Sequence, residues 1–456
     1  MIWASFAVMI ATIMVCAASL RTSRGDAIGI PLVAIGTFTF LYVVQPLQLI
    51  LTGTAGVFFT EWQVAKGFLI SALMLASFMW GWLHPVRQAR RWRNPWDPQA
   101  MWSIGFAAAC LGLIFFVIFV ERSGGFAQSF SQAHGKAMAW KENTAYLYDG
   151  PWLMLSGAAM MIFGDPKSRA QRWKSFAPYG FCGLYLVNAI IGGDRGPLFS
   201  VASVIFVSTA IARRKPTKLR QAVGFLLVLA CAVTIVFVNR DRLYTGGSQG
   251  ITSGQSTEEA LNGLVGTSEY DEEHATTGQE FVLHAATIDT VDETGKLGWG
   301  LNWVEFLLFN PIPRVIFPEK PDPVWTGVTA GDIFENTSIV AAPGSAWGIV
   351  ADLYANFHLL SALFFYGLGL GLRRLFVLAR SFSSPVTTVG YVMIYALSLN
   401  MFAQGFMTIL VPVCYSMVPV VLFAWVRRRN LKKALARERD IMLRQFAAAH
   451  GERWSS

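Results

Sequence analysis

The sequence predicts an all-α polytopic membrane protein of about eleven transmembrane helices, with its N-terminus outside, its C-terminus in the cytoplasm and one long extracytoplasmic (periplasmic) loop. Three observations lead there. Hydrophobic residues make up 54% of the 456 residues, charged residues only 14%, and the mean hydropathy is +0.44, far above what a water-soluble domain carries. Apolar runs of spanning length recur along most of the chain. Lys and Arg cluster strictly in alternate loops.

A hydrocarbon core ~30 Å thick takes about 20 predominantly apolar residues per helix. Runs of that kind lie at 2–20, 29–52, 64–83, 101–120, 147–164, 176–192, 197–212, 222–239, 353–372, 386–403 and 406–426. The first run has no basic residue before it and is followed by Arg21 and Arg24, so it is expected to remain as a span rather than act as a cleaved signal.

Orientation follows from the basic residues, because short cytoplasmic loops retain them. The set running from Arg21 through Arg87–Arg93, Lys167–Lys174, Arg213–Arg220, Arg373–Arg380 and the tail after Trp425 holds 27 of the 37 Lys and Arg but only six of the 28 acids. One face is therefore strongly positive and the other negative. The overall charge of +9 is a sum of two unlike halves rather than a sign of nucleic-acid binding. All five cysteines fall inside proposed spans, which argues against a disulfide framework or a cysteine metal site.

The organisation expected is a membrane domain over 1–239, a large outer loop over 240–352, a second membrane segment over 353–426 and a basic cytoplasmic tail over 427–456. That tail is expected to lie against anionic lipid. Ser248 to Gly278 is a stretch either functional or without fixed structure. Trp299, Trp303 and Phe306–Phe309 form an amphipathic run suited to the membrane surface. No nucleotide-binding P-loop, HExxH or EF-hand pattern is present. The Gly367, Gly369, Gly371 series reads as close helix packing. The histidines, His284 and His358 among them, show no metal-ligand spacing and are expected to be structural, and Tyr354 to be an interfacial belt residue.

Three segments at the outer surface carry the chemistry. Gly192-Gly193-Asp194-Arg195-Gly196-Pro197 puts an Arg between glycines in a tight connection. An Arg near hydrocarbon normally faces protein, water or an anion, and flanking glycines let a ligand approach. Arg240 and Arg242 follow on the acidic face, where headgroup anchoring is the simpler reading. Pro311-Ile312-Pro313-Arg314-Val315-Ile316-Phe317-Pro318-Glu319-Lys320-Pro321 holds Arg314 and Lys320 among stiffening prolines. Ala351-Asp352-Leu353-Tyr354-Ala355-Asn356-Phe357 puts Asp352 and Asn356 at i and i+4 on one helical face, where they either point at one ligand or serve as a helix-end acid and packing glue.

Taken in this order, GGDRGPL, PIPRVIFPEKP and DLYANF resemble the bacterial O-antigen and oligosaccharide repeat-unit polymerases of Wzy type, relatives of the O-antigen ligases. The similarity covers roughly 180–375 and departs at His358, where the family pattern often has Gly. It implies a bacterial inner-membrane glycosyltransferase, needing no metal or other cofactor, that works on oligosaccharides linked to undecaprenyl diphosphate. A chain-length regulator is a candidate partner. Asp352, Arg195 and Arg314 are the expected catalytic residues, with Arg240, Arg242, Lys320, Asn356 and Asp194 in substrate binding. A ligase shares the donor and the cations. A flippase would line a path through the membrane with polar groups, and mid-span charges are nearly absent. A metal-dependent lipid-sugar transferase would want acids in the first outer loop, where 53–65 supply only Glu61.

Overall fold

The computed structural model describes residues 1–22, 29–51, 55–87, 96–122, 147–164, 172–192, 196–214, 268–270, 275–277, 280–309, 326–341 and 346–451, together with 125, 217–218, 220–225, 227 and 312. Within them the chain is a helical membrane protein. Seven helical stretches are long and apolar enough to cross a bilayer: Ile2–Leu20, Ile30–Leu51, Glu61–Leu83, Pro98–Arg122, Gly348–Arg380, Pro385–Gln404 and Met407–Arg429. Four expected spans are not among the seven. Trp152–Phe163 and Gly196–Ala212 are shorter apolar helices, and Arg172–Gly192 has spanning length but is less apolar. The expected span at 222–239 lies almost wholly outside the described residues.

In chain order the helices are α1 (Ile2–Thr22), α2 (Ile30–Leu51, with a π-helical turn at Phe40–Val44), α3 (Glu61–Leu83), α4 (Pro98–Arg122), α5 (Trp152–Phe163), α6 (Arg172–Gly192) and α7 (Gly196–Ala212). They continue with α8 (Glu280–Thr294), α9 (Leu301–Phe309), α10 (Ala330–Thr337), α11 (Gly348–Phe357), α12 (Ser361–Arg380), α13 (Pro385–Gln404) and α14 (Met407–Gly451). The last of these runs unbroken for 45 residues, so the basic tail continues the final span as one helix.

Glycine sets the closest helix pairings. A Cβ on Gly369 would overlap the Phe78 carbonyl, and one on Gly81 would overlap the Tyr366 carbonyl, so α3 and α12 meet backbone to backbone. Gly105 and Gly157 do the same for α4 and α5. Without a hydrophobic drive between helices in lipid, such close contact is a main source of association. Of the Gly367, Gly369, Gly371 series only Gly369 is used this way; the other two face open space.

The contacts also gather the basic segments at one end of the bundle. Arg380 donates to the Ala210 carbonyl at 3.2 Å, Arg214 lies over the Phe382 ring, Arg373 over Trp82 and Lys174 over Trp102.

At the other end the long loop returns into the protein. Helix α8 is buried nearly all round, from Phe281 through Ile288 to Val291, packed on α3, α10 and α11. Its low amphipathicity is what a helix buried on every side requires. Gln45, buried inside the α2 span, holds its first turn: Gln45 Nε2 donates to Glu280 and Gln45 Oε1 accepts from Phe281 N–H at 3.1 Å. His284 is also buried, with Nε2 3.1 Å from Ser71 Oγ. Burial pushes its pKa down to about 4, the Gly67 carbonyl opposing weakly.

Three short strands accompany α8: β1 (Ser268–Tyr270) antiparallel to β2 (Ala275–Thr277), and β2 parallel to β3 (Ile339–Ala341). Part of Ser248–Gly278 therefore has regular structure. Helix α9 presents Leu301, Val304 and Leu308 outward while Asn302 is buried, a polarity suited to an apolar surround. Beside it, Lys296 pairs with Asp332 at 2.5 Å. Burial alone would lift the Asp332 carboxyl, but the Lys296 ammonium and Thr329 outweigh it and hold it below the usual carboxylate range.

Candidate functional site

The expected ninth span, 353–372, is two helices. Helix α11 is buried at every position from Gly348 to Phe357, then breaks, and α12 begins at Ser361. The break is at His358, with φ 51° and ψ −137°. A side chain in that region is crowded by its own backbone, at a cost of order 1–3 kcal/mol, and persists only where its surroundings hold it.

Asp352 and Asn356 do share a face of α11, and they serve the protein's own backbone. Asn356 Nδ2 donates to the Asp352 carbonyl at 2.8 Å, and its Oδ1 accepts from Gly300 N–H at 2.9 Å. Asp352 Oδ2 accepts from Phe406 N–H at 2.6 Å, just before α14, and Oδ1 accepts from Trp303 Nε1 at 3.2 Å. A Cβ on Gly405, itself at φ 108°, would crowd Asp352 Oδ2. Both oxygens of Asp352 are thus engaged and its side chain is buried, an arrangement that ties α11 to α9 and to the start of α14.

Asp194, Arg195, Arg240, Arg242, Arg314 and Lys320 lie outside the described residues. Described residues beside Arg195 and ahead of Arg314 lie close to Asp352 all the same. Gly196, the last residue of the GGDRG motif, is set so close to the Asn400 amide that a Cβ would collide with it. Asn400 is near the end of α13, five residues before the Gly405 that abuts Asp352. Helix α9, which leads into the proline segment, supplies Trp303 to the same carboxyl. One corner of the bundle, at the end of α13, therefore brings together Gly196, Trp303 and Asp352.

Two cavities flank α11. An apolar groove of about 380 Å³ lies among Trp303, Leu353, Phe364, Leu368 and Phe406. An open cavity of about 640 Å³ is lined by Trp62, Lys66, Asp292, Tyr354, His358 and Leu359, among others. In the second, Asp292 Oδ1 is 2.9 Å from His358 Nε2 and accepts from the Tyr354 hydroxyl at 2.8 Å, while Asp292 Oδ2 ion-pairs with Lys66. Tyr354 Oη is also 2.9 Å from His358 Nε2. Tyr354 is accordingly buried in this cluster rather than a belt residue, because its hydroxyl finds the polar partners inside the protein that a belt residue finds at the interface.

Sequence reasoning passed over Lys66 and Asp292. The signal was there: a Lys near the start of an apolar span, and Asp289, Asp292 and Glu293 at i, i+3 and i+4 on one face of 280–294. Comparisons with family models, with curated proteins and with solved structures return no match for this chain.

Proposed function

We propose that the protein is a glycosyltransferase of the bacterial inner membrane that polymerises lipid-linked oligosaccharide repeat units, for O-antigen, capsule or exopolysaccharide. It moves the growing glycan from undecaprenyl diphosphate to the next lipid-linked unit at the outer face. The basic end of the bundle is then cytoplasmic, and the corner at the end of α13 faces out, with eleven spans and the N-terminus outside.

The observation that carries the reading is the meeting of Gly196, Trp303 and Asp352 at Asn400 and Gly405, beside an apolar groove on one flank of α11 and a largely apolar cavity carrying Lys66, Asp292 and His358 on the other. A substrate with a hydrocarbon chain, a diphosphate and sugars needs such neighbouring environments. In the reaction, an acceptor hydroxyl attacks the anomeric carbon, oxocarbenium-like charge develops, and the lipid diphosphate leaves with the bonding electrons. Arg195 and Arg314 stabilise that leaving charge by forked hydrogen bonds to phosphate oxygens. Arg240, Arg242 and Lys320 add positive charge, Asp194 takes part in substrate binding, and Asp352 with Asn356 braces the helix ends beside them.

Deleting the gene in its host and resolving surface and lipid-linked glycans by gel and mass spectrometry tests this. A polymerase loss leaves one repeat unit on every chain, restored to ladders by the wild-type gene. Long chains stranded on the lipid would instead mark a ligase, and single units trapped on the cytoplasmic leaflet a flippase.

A further inference from the structure

We propose that the cavity of Lys66, Asp292, Tyr354 and His358 receives the acceptor sugar, and that His358 takes the proton from the attacking hydroxyl. This rests on the polymerase reading above.

The cavity's charge selects its occupant. Among the described residues the cavity's one ammonium, Lys66, is ion-paired with Asp292 and lies in the field of Asp289 and Glu293. An acidic surround repels a diphosphate, so the cavity suits the neutral, hydroxyl-bearing part of a substrate. Trp62, more than half exposed at its rim, offers the flat apolar face on which a sugar ring stacks.

The cluster also sets the imidazole for proton transfer. Two oxygens at Nε2, from Asp292 and Tyr354, select the tautomer with its hydrogen on that nitrogen. Nδ1 is then the basic nitrogen, on a side chain that lines the cavity and is 43% exposed. Asp292 steadies the ring and the positive charge it acquires, as a carboxylate does behind a general base. The left-handed backbone at position 358 is one that glycine adopts without strain, so the imidazole is carried there at a conformational cost.

In the transfer, the acceptor O–H bond breaks as its proton passes to Nδ1. Its oxygen bonds to the anomeric carbon, and the carbon–oxygen bond to the diphosphate breaks with its electron pair leaving on the lipid. The imidazolium then returns its proton to water through the open cavity.

His358→Gly provides the test, because it suits the backbone and removes only the ring. Purified full-length protein in proteoliposomes is given a lipid-linked repeat unit prepared from its host, and chain extension is followed with and without added imidazole. Thermal stability should hold or rise, extension should fall at least tenfold, and imidazole should restore part of it. Wild-type extension by His358→Gly, or a loss that imidazole leaves unchanged, overturns the inference while the polymerase reading stands. If wild type extends nothing, the polymerase reading fails and takes this one with it.

Discussion

The Asp352 carboxyl accepts the backbone N–H of Phe406 at 2.6 Å, joining residues 54 apart in the chain. Because Trp303 donates to the same carboxyl and Asn356 ties it to the loop at Gly300, one side chain fixes how the long loop, α11 and the start of α14 meet. Asp352→Ala leaves buried donors unmatched, and each such bond to an acidic group is worth about 1.5–3 kcal/mol. Thermal unfolding in detergent should show the largest loss for Asp352→Ala and a smaller one for Asp352→Asn, which keeps one acceptor oxygen. Unchanged melting in both would remove Asp352 from this role.

Glycines 367 and 369 make an internal control. Leu at 369 must push α12 off the Phe78 carbonyl, a clash against backbone that exceeds the ~1–3 kcal/mol typical of core overpacking. Gly367→Leu meets open space. Size-exclusion profiles should show aggregated or absent protein for Gly369→Leu and a normal peak for Gly367→Leu.

Acid should weaken the α8 anchor. His284 is held neutral down to about pH 4, whereas the unfolded chain protonates it near 6.5. The unfolded state therefore binds the extra proton, and stability is lost as pH falls from about 6.5 toward 4, by on the order of 3 kcal/mol across that range. Melting temperatures over this range should fall more steeply for wild type than for His284→Gln, which carries no titrating group. Parallel curves would show that His284 contributes nothing to the acid response.

Arg195→Lys separates charge from geometry. It keeps the positive charge but loses the guanidinium fork. In the deletion host, ladders should collapse to short chains while the protein level in membranes stays normal. Full ladders with Lys would remove Arg195 from diphosphate binding.

The membrane class and most helix positions were legible because composition and apolar run length report directly on the solvent around a helix. The pairing of Asp352 with Asn356 was legible from i, i+4 spacing alone. What neither chain nor period discloses is where a long loop goes. Glu280–Thr294 is too short and too acidic to read as a span, and its burial depends on Gln45, Ser71 and Gly67, residues more than 200 positions away. The same holds for His358, whose partner Asp292 is 66 residues distant and whose backbone angle no local pattern reveals.

The most direct measurement is extension of a defined lipid-linked repeat unit by the purified protein in proteoliposomes, with products separated by length and undecaprenyl diphosphate quantified. Polymerase activity predicts a ladder of lipid-linked oligomers and one undecaprenyl diphosphate released for each linkage formed. Repeat units that stay single, with no diphosphate released, from protein that is folded and correctly inserted, would contradict it.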